Sequence, residues 1–561
     1  MNSPKQGVSN LPEICFRHGM RRVVIAPGSR NAPLIFAFTG HGKLECLSIA
    51  DERSAAYFAL GLALFTREPV GLICTSGTAV LNFAPAVAEA YYQNIPLVLL
   101  TADRPSEWID QYDGQTIRQA GIYRNYIKES FELPAETTLD ADLWHFNRSV
   151  NVGLNTALLQ PQGPVHLNIP LREPLYSPLP PQANEIKIIL TLTDQQVLSS
   201  ESTEQLRKKW NKSHKKLLVL GADIPNVRRR EILPHLSADP SLVIIAENIS
   251  NCNSDSVISS PERFFASLTS DEFIAFQPEI LITVGKSVVT GQLKKYLRQF
   301  PPAQHWHIQD SPSYVDTFQG LTHSIISLPE PLLGSLSQNI ELQESSYRDT
   351  LLGKEMKIRQ KHASLVSALP YSDLSVFDTL LKRIPAGVDL HLSNSTSIRY
   401  SQLFPVGPNI TYHCNRGTSG IDGCISTAAG CSVASGKQTI LITGDISFIY
   451  DSNGLWNKYL KGNLKIIVIN NGGGNIFRLI NPNDSDNPAR EFFETPHKVK
   501  IKFLAEAFGA VYSVCVSSED LTERLDWFFE PSDKPYILEI VTDPGVNTAV
   551  FKEYYKQIKL I

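Results

Sequence analysis

The feature that most constrains the fold is an alternation of apolar, β-rich runs with helical segments. In the first third of the chain, "RRVVIAPGS", "PVGLICTSG", "IPLVLLTADRP" and "GPVHLNIP" are separated by helical patterns such as "DERSAAYFALGLALF". Strands that are apolar along their whole length are typical of parallel sheets, because helices cover both faces of such sheets. The alternation therefore predicts an α/β fold with doubly wound, mainly parallel sheets.

The alternation recurs twice, which gives three α/β units. The second unit holds "KKLLVLGAD", "SLVIIAEN", "PEILITVGKS" and "QHWHIQD", and the third holds "DLHLSNS", "NITYHCNRG", "QTILITGD", "LKIIVINN" and "PYILEIVTD". The Pro-rich stretch "PLREPLYSPLPPQAN" reads as a linker between the first two units. A chain of 561 residues is too long for one core, so we predict domains over 1–180, 181–350 and 351–561.

Composition narrows the class of protein. Charged residues make up 19% of the chain and the net charge is −4, which does not suit a nucleic-acid binder with a basic surface. The N-terminus lacks a signal-peptide pattern, and "IPLVLLTA" is far shorter than the roughly 20 apolar residues that span a bilayer. The eight cysteines are scattered and fit reduced core thiols. We expect a cytoplasmic protein without nucleic-acid partners or membrane insertion.

Two strand ends in the third unit carry the polar groups of a candidate metal site. "TILITGD" ends at Asp445, and "LKIIVINN" ends at Asn471, which lies 471 − 445 = 26 positions further along the chain. One crossover helix fits between them, and a right-handed crossover places both strands in one sheet, whose carboxyl edge is where ligands bind. Carboxylate, amide and carbonyl oxygens suit Mg²⁺ shared with phosphate, and the glycines at 472–474 leave N–H groups free for an anion. The alternative is that these are ordinary turn residues.

This pattern resembles the fingerprint of thiamine-diphosphate enzymes, in which Gly-Asp is followed at such a distance by Asn-Asn. The resemblance implies a thiamine-diphosphate-binding fold. It also implies that Asp445, Asn471 and the carbonyl of Gly473 hold Mg²⁺, or Mn²⁺, on the diphosphate of the cofactor. Ile446 stands where the family usually has Gly or Ala.

The same family needs a glutamate that faces the aminopyrimidine ring of the cofactor. "SIADERSAAYFALGLALF" supplies Glu52 at the start of a helix that is apolar nearly all round, so we expect the helix and Glu52 to be buried. Burial raises the pKa of a carboxyl group and favours sharing a proton with a ring nitrogen, which makes Glu52 the candidate catalytic residue. The alternative is an ordinary first-turn glutamate that the helix dipole favours.

Longer motifs resemble one family within this class. "APGSRNAPL", "DERSAAYFALGLA", "TSGTAVLNFAPAVAEA", "LLTADRP", "QTIRQ" and "NRGTSGIDG" are similar to the 2-succinyl-5-enolpyruvyl-6-hydroxy-3-cyclohexene-1-carboxylate synthases of menaquinone biosynthesis. The resemblance implies a transferase that decarboxylates 2-oxoglutarate and joins the succinyl carbanion equivalent to isochorismate by 1,4-addition. It also implies a homodimer or homotetramer, because the pyrimidine and diphosphate domains of one chain usually serve different active sites.

The resemblance also assigns individual residues. Both substrates are dicarboxylates, and the planar guanidinium of arginine binds carboxylates in a bidentate way. By resemblance, the substrate-binding residues are Ser29, Arg30, Arg104, Gln115, Arg399 and Arg416. By resemblance, the cofactor-binding residues are Glu52, Ser395, Gly420, Ile421, Asp445, Ile446, Ser447, Asn471, Gly473 and Ile476. Among them Ile421 bends the cofactor. Two departures are that Lys294 and Lys295 stand two positions later than the basic pair of the family, and that Gly114 replaces a common Asn.

Three other functions stay open at this point. One is a different thiamine enzyme, either an acetolactate-synthase-like enzyme or an oxo-acid decarboxylase. Another is an idle relative that acts as a binding module. The third is a Mg²⁺ phosphohydrolase, although the chain has no Walker-type "GxxxxGK" motif. No histidines occur at metal-ligand spacing. We assign no catalytic histidine, because the resemblance implies that the amino group of the cofactor itself moves protons once Glu52 activates it.

Overall fold

The computed structural model describes residues 2–194, 196–252, 254–338, 341, 343–407, 409–480 and 488–560. Within these residues the strands form three six-stranded sheets, and every strand pairing is parallel. The predicted fold class, three α/β units with mainly parallel sheets, is confirmed.

The first sheet lies at the N-terminal end of the chain. Its strands are β1 (Arg22–Ile25), β2 (Glu45–Ser48), β3 (Val70–Cys74), β4 (Leu97–Asp103), β5 (Ser130–Glu132) and β6 (Val165–Pro170). Their order in the sheet is β2-β1-β3-β4-β6-β5. The helices are α1 (Gln6–Arg17), α2 (Ala32–Gly40), α3 (Glu52–Thr66), α4 (Thr78–Asn82), α5 (Ala84–Gln93) and α6 (Asp140–Leu158).

The middle sheet is built in the same way. Its strands are β7 (Lys216–Leu220), β8 (Leu242–Ala246), β9 (Val257–Ile258), β10 (Ile280–Val284), β11 (Gln304–Gln309) and β12 (His323–Ile326). They are arranged as β12-β11-β10-β7-β8-β9. The helices are α7 (Ser200–Lys212), α8 (Val227–Leu236), α9 (Pro261–Ala266), α10 (Ser270–Ala275), α11 (Gly291–Gln299), α12 (Pro329–Ser337) and α13 (Tyr347–Ser367).

The third sheet holds the candidate metal ligands. Its strands are β13 (Asp389–Leu392), β14 (Thr411–His413), β15 (Thr439–Gly444), β16 (Leu464–Asn470), β17 (Val511–Cys515) and β18 (Tyr536–Val541). They are arranged as β14-β13-β15-β16-β18-β17. The helices are α14 (Asp373–Arg383), α15 (Thr396–Ser401), α16 (Cys424–Ser435), α17 (Asp445–Tyr450), α18 (Ile476–Ile480), α19 (Arg490–Glu494), α20 (Ile501–Ala507), α21 (Ser518–Phe528) and α22 (Pro544–Ile558). The domain boundaries at 180 and 350 stay predictions, and α13 runs through the second of them.

Helices α3 and α16 join the first and third units through glycines. A Cβ atom added to Gly61 would overlap the carbonyl oxygen of Thr427, and one added to Gly430 would overlap that of Phe58. The two helix backbones therefore approach more closely than larger side chains allow. Both helices belong to one buried apolar cluster that includes residues of the first and third sheets. This contact sets how the two site-bearing units sit within one chain.

The structure also bears on two expectations from the sequence, that the cysteines are reduced and that the chain does not cross a membrane. The eight cysteines are free thiols, and six of them are buried. In the described part of the chain, none of the helices combines the length and the apolar character that crossing a membrane requires.

Candidate functional site

The ends of β15 and β16 lie side by side and carry the predicted metal ligands. The two strands are parallel neighbours, with Gly444 opposite Ile469, and α17 begins at Asp445. Asp445 is 2% exposed, and its Oδ2 accepts a 2.9 Å hydrogen bond from the N–H of Gly473. The structure therefore brings the carboxylate of Asp445 into direct contact with the loop that follows β16.

The carboxamide of Asn471 faces two different environments. Its Nδ2 donates a 2.9 Å hydrogen bond to Oδ2 of Asp373, whereas its Oδ1 is buried and has no partner among the described residues. Burial raises the pKa of Asp373 to about 6. An unpaired buried oxygen is costly, and a bound ligand removes that cost. Asn471 Oδ1 is thus an available oxygen ligand close to Asp445.

The backbone after Asn471 leaves room for an anionic group. Gly472 has φ +80° and Gly473 has φ +148°, and a Cβ on Gly473 would lie 2.5 Å from the carbonyl oxygen of Glu494. Asn475 is 4% exposed, and neither of its amide atoms has a partner in the part of the chain that the structure describes. These residues line a cavity of about 260 Å³. The donors and acceptors present fit a divalent cation that carries a diphosphate.

His497 also contacts this site. Its Nε2 lies 3.3 Å from Oδ2 of Asp445, and this contact with a carboxylate raises the pKa of the imidazole. The sequence analysis assigned no role to this histidine, because it lies in the segment after α19 and only the tertiary fold brings that segment to the site.

The other predicted cofactor residues of the third unit lie around the same strand end. The N–H of Ile446 donates a 2.7 Å hydrogen bond to Oδ1 of Asp445. The hydroxyl of Ser447 donates a 2.6 Å hydrogen bond to the carbonyl of Ile421, which fixes the loop that contains Gly420. Ile476 is the first residue of α18. The structure brings the predicted bending residue, Ile421, next to α17.

A residue of the first unit that the sequence analysis missed holds the same loop. Glu89, on α5, is 1% exposed. Its carboxylate accepts hydrogen bonds from the N–H groups of Gly417, at 2.7 Å, and Thr418, at 2.6 Å, and from the Thr418 hydroxyl at 2.6 Å. Hydrogen bonds to an ionised carboxylate are strong, and several of them together hold the backbone turn at Gly417 and Thr418 in place. The only signal in the sequence is one acidic residue in the otherwise apolar "FAPAVAEA".

Three cations gather where the middle and third units meet. Arg399 Nη1 donates to the carbonyl of Ser395 at 2.8 Å, and Arg416 Nη1 donates to Oδ1 of Asn394 at 2.9 Å. Burial and then the charge of Arg416 lower the pKa of Arg399. Burial also lowers the pKa of Lys294, on which the charges of Arg416 and Arg399 act as well. The carboxylates of Glu247 and Glu262 act in the opposite direction, raising the pKa of Lys294 and of Arg399 respectively. The group thus combines three cations with two carboxylates.

A second arginine pair lies in the first unit. Arg30 is 6% exposed; its Nη1 donates to the carbonyl of Leu171 at 2.9 Å and lies 3.2 Å from Oε1 of Glu173. Arg104 Nη1 pairs with Oδ2 of Asp113 at 2.9 Å. Burial and the charge of Arg104 lower the pKa of Arg30. The two guanidinium groups are therefore neighbours.

The remaining predicted substrate residues accompany this pair. Ser29 Oγ accepts a 3.2 Å hydrogen bond from the hydroxyl of Tyr176. Gln115 has φ +55°, and its backbone lies against Gly77. Within the described residues, no hydrogen bond or ion pair links Ser29, Arg30, Arg104 or Gln115 to the cationic group around Arg416. The predicted substrate residues thus form one group on the first unit and another on the third unit.

Glu52 is the first residue of α3. The helix is capped by Asp51, whose carboxylate accepts from the N–H of Ser54 at 3.0 Å and from Nδ2 of Asn453 at 2.7 Å. The predicted burial of the helix is confirmed from Ser54 to Leu64. Glu52 itself is only partly buried, and in the described part of the chain it makes no hydrogen bond or ion pair. The expected shielding of its carboxylate is incomplete in one chain, because the first residue of a helix stands at its open end.

Comparisons with known proteins first define a class. Residues 6–122 match the model of the thiamine pyrophosphate enzyme N-terminal TPP binding domain, and residues 395–540 match that of the C-terminal TPP binding domain. A benzoylformate decarboxylase from Polynucleobacter necessarius has a similar fold, with a TM-score of 0.72 over 97% of this chain and 99% of that one, at 17% sequence identity. The two matched domains and the fold are those of an enzyme that uses thiamine pyrophosphate, the same molecule as thiamine diphosphate.

Full-length relatives then identify the family. The 2-succinyl-5-enolpyruvyl-6-hydroxy-3-cyclohexene-1-carboxylate synthases of Flavobacterium psychrophilum and Porphyromonas gingivalis are both 41% identical to this chain. The first alignment covers 98% of both chains, and the second covers 99% of this chain and 98% of the relative. The synthase of Bacteroides fragilis is 35% identical over 100% of both. The chain belongs to this synthase family, which confirms the resemblance found in the sequence.

Proposed function

We propose that the chain catalyses the thiamine-diphosphate-dependent decarboxylation of 2-oxoglutarate and the 1,4-addition of the remaining succinyl unit to isochorismate. The product is 2-succinyl-5-enolpyruvyl-6-hydroxy-3-cyclohexene-1-carboxylate, as in menaquinone biosynthesis. The observation that carries the proposal is the unpaired, buried Oδ1 of Asn471 in the loop whose Gly473 N–H donates to Asp445, in a chain whose full-length relatives are named for this product.

The proposed metal ligands are Asp445, Asn471 and the carbonyl of Gly473, which together hold Mg²⁺ or Mn²⁺ on the diphosphate. Carboxylate, amide and carbonyl oxygens are the ligands that such cations prefer. When it is bound, thiamine diphosphate supplies an acidic thiazolium carbon and an electron sink for a carbanion. The other residues proposed to surround the cofactor are Glu52, Ser395, Gly420, Ile421, Ile446, Ser447 and Ile476.

Glu52 has the proposed task of sharing a proton with a nitrogen of the pyrimidine ring. Ile421 is proposed to support the bent shape of the cofactor. Its place is supported by the hydrogen bond from Ser447 to its carbonyl, which ties the loop of Ile421 to the helix that starts at Asp445.

The two cationic groups are proposed to bind the carboxylates of the substrates. Carbon dioxide leaves from the carboxylate next to the keto group of 2-oxoglutarate, and the four-carbon remainder forms a carbon–carbon bond with isochorismate. Both substrates keep at least one carboxylate during the reaction, so fixed guanidinium groups that orient them are needed throughout. The proposed substrate residues are Ser29, Arg30, Arg104, Gln115, Arg399 and Arg416, and the position of Lys294 next to Arg416 supports adding it to them.

The proposed assembly is a homodimer, or a homotetramer built from such dimers, in which Glu52 of one protomer faces the metal site of the other. The partial exposure of Glu52 in one chain supports this arrangement. So do two large apolar side chains that stand exposed at 107% and 83%. They are Tyr112, three residues before Gln115, and Phe492, two residues before Glu494, whose carbonyl accepts a hydrogen bond from the N–H of Gly474. The cytoplasmic location stays a prediction.

Product formation from defined substrates tests the proposal. The purified chain with Mg²⁺ and thiamine diphosphate is given 2-oxoglutarate with and without isochorismate, and the succinyl-enolpyruvyl product is followed by mass spectrometry. We expect the product only when both substrates are present, and no acetolactate from pyruvate. Decarboxylation without any coupling to isochorismate would instead favour an oxo-acid decarboxylase.

A further inference from the structure

We infer that Asp373 is a positioning residue that fixes the carboxamide of Asn471, so that its oxygen and not its nitrogen faces the metal site. The inference rests on the proposed function, because it assumes a divalent cation between Asp445 and Asn471. It concerns a residue that the sequence motifs do not contain, since Asp373 precedes Asn471 by almost one hundred positions.

The shape of an asparagine does not decide which way its amide points. Turning the amide by half a rotation exchanges oxygen and nitrogen at nearly constant volume, so hydrogen-bond partners select the orientation. An ionised carboxylate has only acceptors. Asp373 Oδ2 therefore accepts the N–H of Asn471 at 2.9 Å, and it would repel the amide oxygen if the group were reversed. This leaves Oδ1 buried and unpaired within the described residues, two residues before Gly473, whose N–H donates to Asp445.

Asp373 is itself held from several sides. It is 0% exposed and stands at the first position of α14. Its Oδ1 accepts a 2.6 Å hydrogen bond from the hydroxyl of Thr542, directly after β18. Its N–H donates to Oδ1 of Asn547 at 2.8 Å, and Nδ2 of Asn547 donates to the Thr542 oxygen at 3.0 Å. Because Asn547 occupies an acceptor position of Thr542, the hydroxyl proton points to Asp373.

This network makes both oxygens of Asp373 acceptors, which is the arrangement that an ionised carboxylate needs. Three elements, α14, the end of β18 and α22, thus converge on one acceptor behind the metal ligand. Partners of this kind behind metal ligands typically change metal affinity by about 10- to 100-fold when they are removed. A purely structural role for Asp373 would instead change only the stability of the folded chain.

The test is metal binding by the full chain in the presence of thiamine diphosphate, measured as the loss of the free Mn²⁺ signal in electron paramagnetic resonance. In Asp373→Asn the new amide can donate to Asn471 Oδ1, so the Asn471 amide is free to reverse. We expect the affinity for Mn²⁺ to fall by about 10- to 100-fold. Thr542→Val is the matched control, because it removes one hydrogen bond to Asp373 and leaves the bond to Asn471 intact. We expect a much smaller change in that variant.

A swap of the two residues provides the second arm. In the double variant Asp373→Asn/Asn471→Asp, the amide at 373 donates to the carboxylate at 471, whose other oxygen faces the cation, and the charge of the pair is unchanged. We expect the double variant to bind Mn²⁺ more tightly than Asp373→Asn alone. Circular dichroism reports whether each variant is folded.

The outcomes separate this inference from the proposed function. If the unaltered chain binds no Mn²⁺ with thiamine diphosphate, both are overturned. If it does bind Mn²⁺, and folded Asp373→Asn binds it equally well, only the positioning role is overturned. If both variants fold and the double variant binds Mn²⁺ no better than Asp373→Asn, the positioning role is also overturned. If Asp373→Asn does not fold, a folded double variant that binds no Mn²⁺ overturns that role.

Discussion

Buried polar atoms without partners are what mark the site at the scale of single residues. Asn471 Oδ1 and both amide atoms of Asn475 are buried and unpaired within the described residues, whereas most buried polar groups in proteins are hydrogen-bonded. Asp445 and Asn471 could be predicted because they end two apolar strands in a recognisable pattern. Asn475 and Asp373 could not, since nothing in their local sequence reveals whether a partner is present.

Glu52 carries the most specific prediction about a residue. Glu52→Gln keeps the shape of the side chain and removes its ability to hold a proton, so we expect turnover to fall by about 10²- to 10⁴-fold. The fold should be unchanged, because Glu52 makes no hydrogen bond or ion pair within the described residues. The measurement is carbon dioxide release from 2-oxoglutarate, with the circular dichroism spectrum recorded alongside.

Glu45→Gln is the control for this prediction. Glu45 lies on β2 and forms an exposed ion pair with Arg22 at 2.9 Å, and such pairs contribute little to stability. We expect its turnover to equal that of the unaltered chain. Full activity in Glu52→Gln would contradict the assigned role.

At the scale of elements, the sequence predicts the central strands and one edge strand, β14, and misses the other five edge strands of the described sheets. The strands that it did not reveal are β2, β5, β9, β12 and β17, and each of them lies at an edge of its sheet. Edge strands are paired on one side only and are covered less, so they need not be apolar throughout. β2 reads "ECLS" and β5 reads "SFE", and most of their residues are partly or fully exposed. A continuous run of apolar residues predicts a strand only where both faces of that strand are buried.

The contact between α3 and α16 leads to a prediction about packing. In Gly430→Ala the added methyl group meets the backbone of Phe58 and Leu62, and overpacking of this kind costs about 1–3 kcal/mol. We expect a lower melting temperature of the cofactor-free protein, measured by calorimetry. Alanine is otherwise favourable within a helix. Position 430 does not tolerate it because the backbones of α3 and α16 approach closely there.

Gly353→Ala is the matched control for the packing prediction. Gly353 is an exposed glycine in α13 with no neighbouring atom within 4 Å of an added Cβ. Replacing it with alanine should raise stability by about 0.5–1 kcal/mol, because alanine restricts the unfolded chain and favours the helix. Equal melting temperatures for the two variants would contradict the proposed close packing of α3 on α16.

At the scale of the whole molecule, the proposed homodimer completes each site with residues of two chains. Sedimentation equilibrium of the active protein should therefore give a mass at least twice that of one chain. Mixing Glu52→Gln chains with Asp445→Ala chains should restore part of the activity, because mixed dimers keep one site with both residues intact. An active monomer, or mixed chains without any activity, would argue against the shared site.

The number of units and their parallel sheets were predictable because apolar strands and helices alternate over the whole chain. How the units meet was not, since contacts such as Glu89 with Gly417 join residues more than three hundred positions apart. Sequence patterns report the burial of a segment, and they do not report which distant segment covers it. That is why the strand ends of the proposed metal site could be singled out from the sequence, whereas Glu89, which holds the loop of Gly417, could not.

The most direct test of the central claim is the metal dependence of cofactor binding. Thiamine diphosphate is titrated by calorimetry into the cofactor-free chain with Mg²⁺, with EDTA, and into Asp445→Ala with Mg²⁺. Because Asp445, Asn471 and Gly473 are proposed to hold the diphosphate only through a divalent cation, we expect binding in the first titration and none in the other two. Equal affinity in the presence of EDTA would contradict the account.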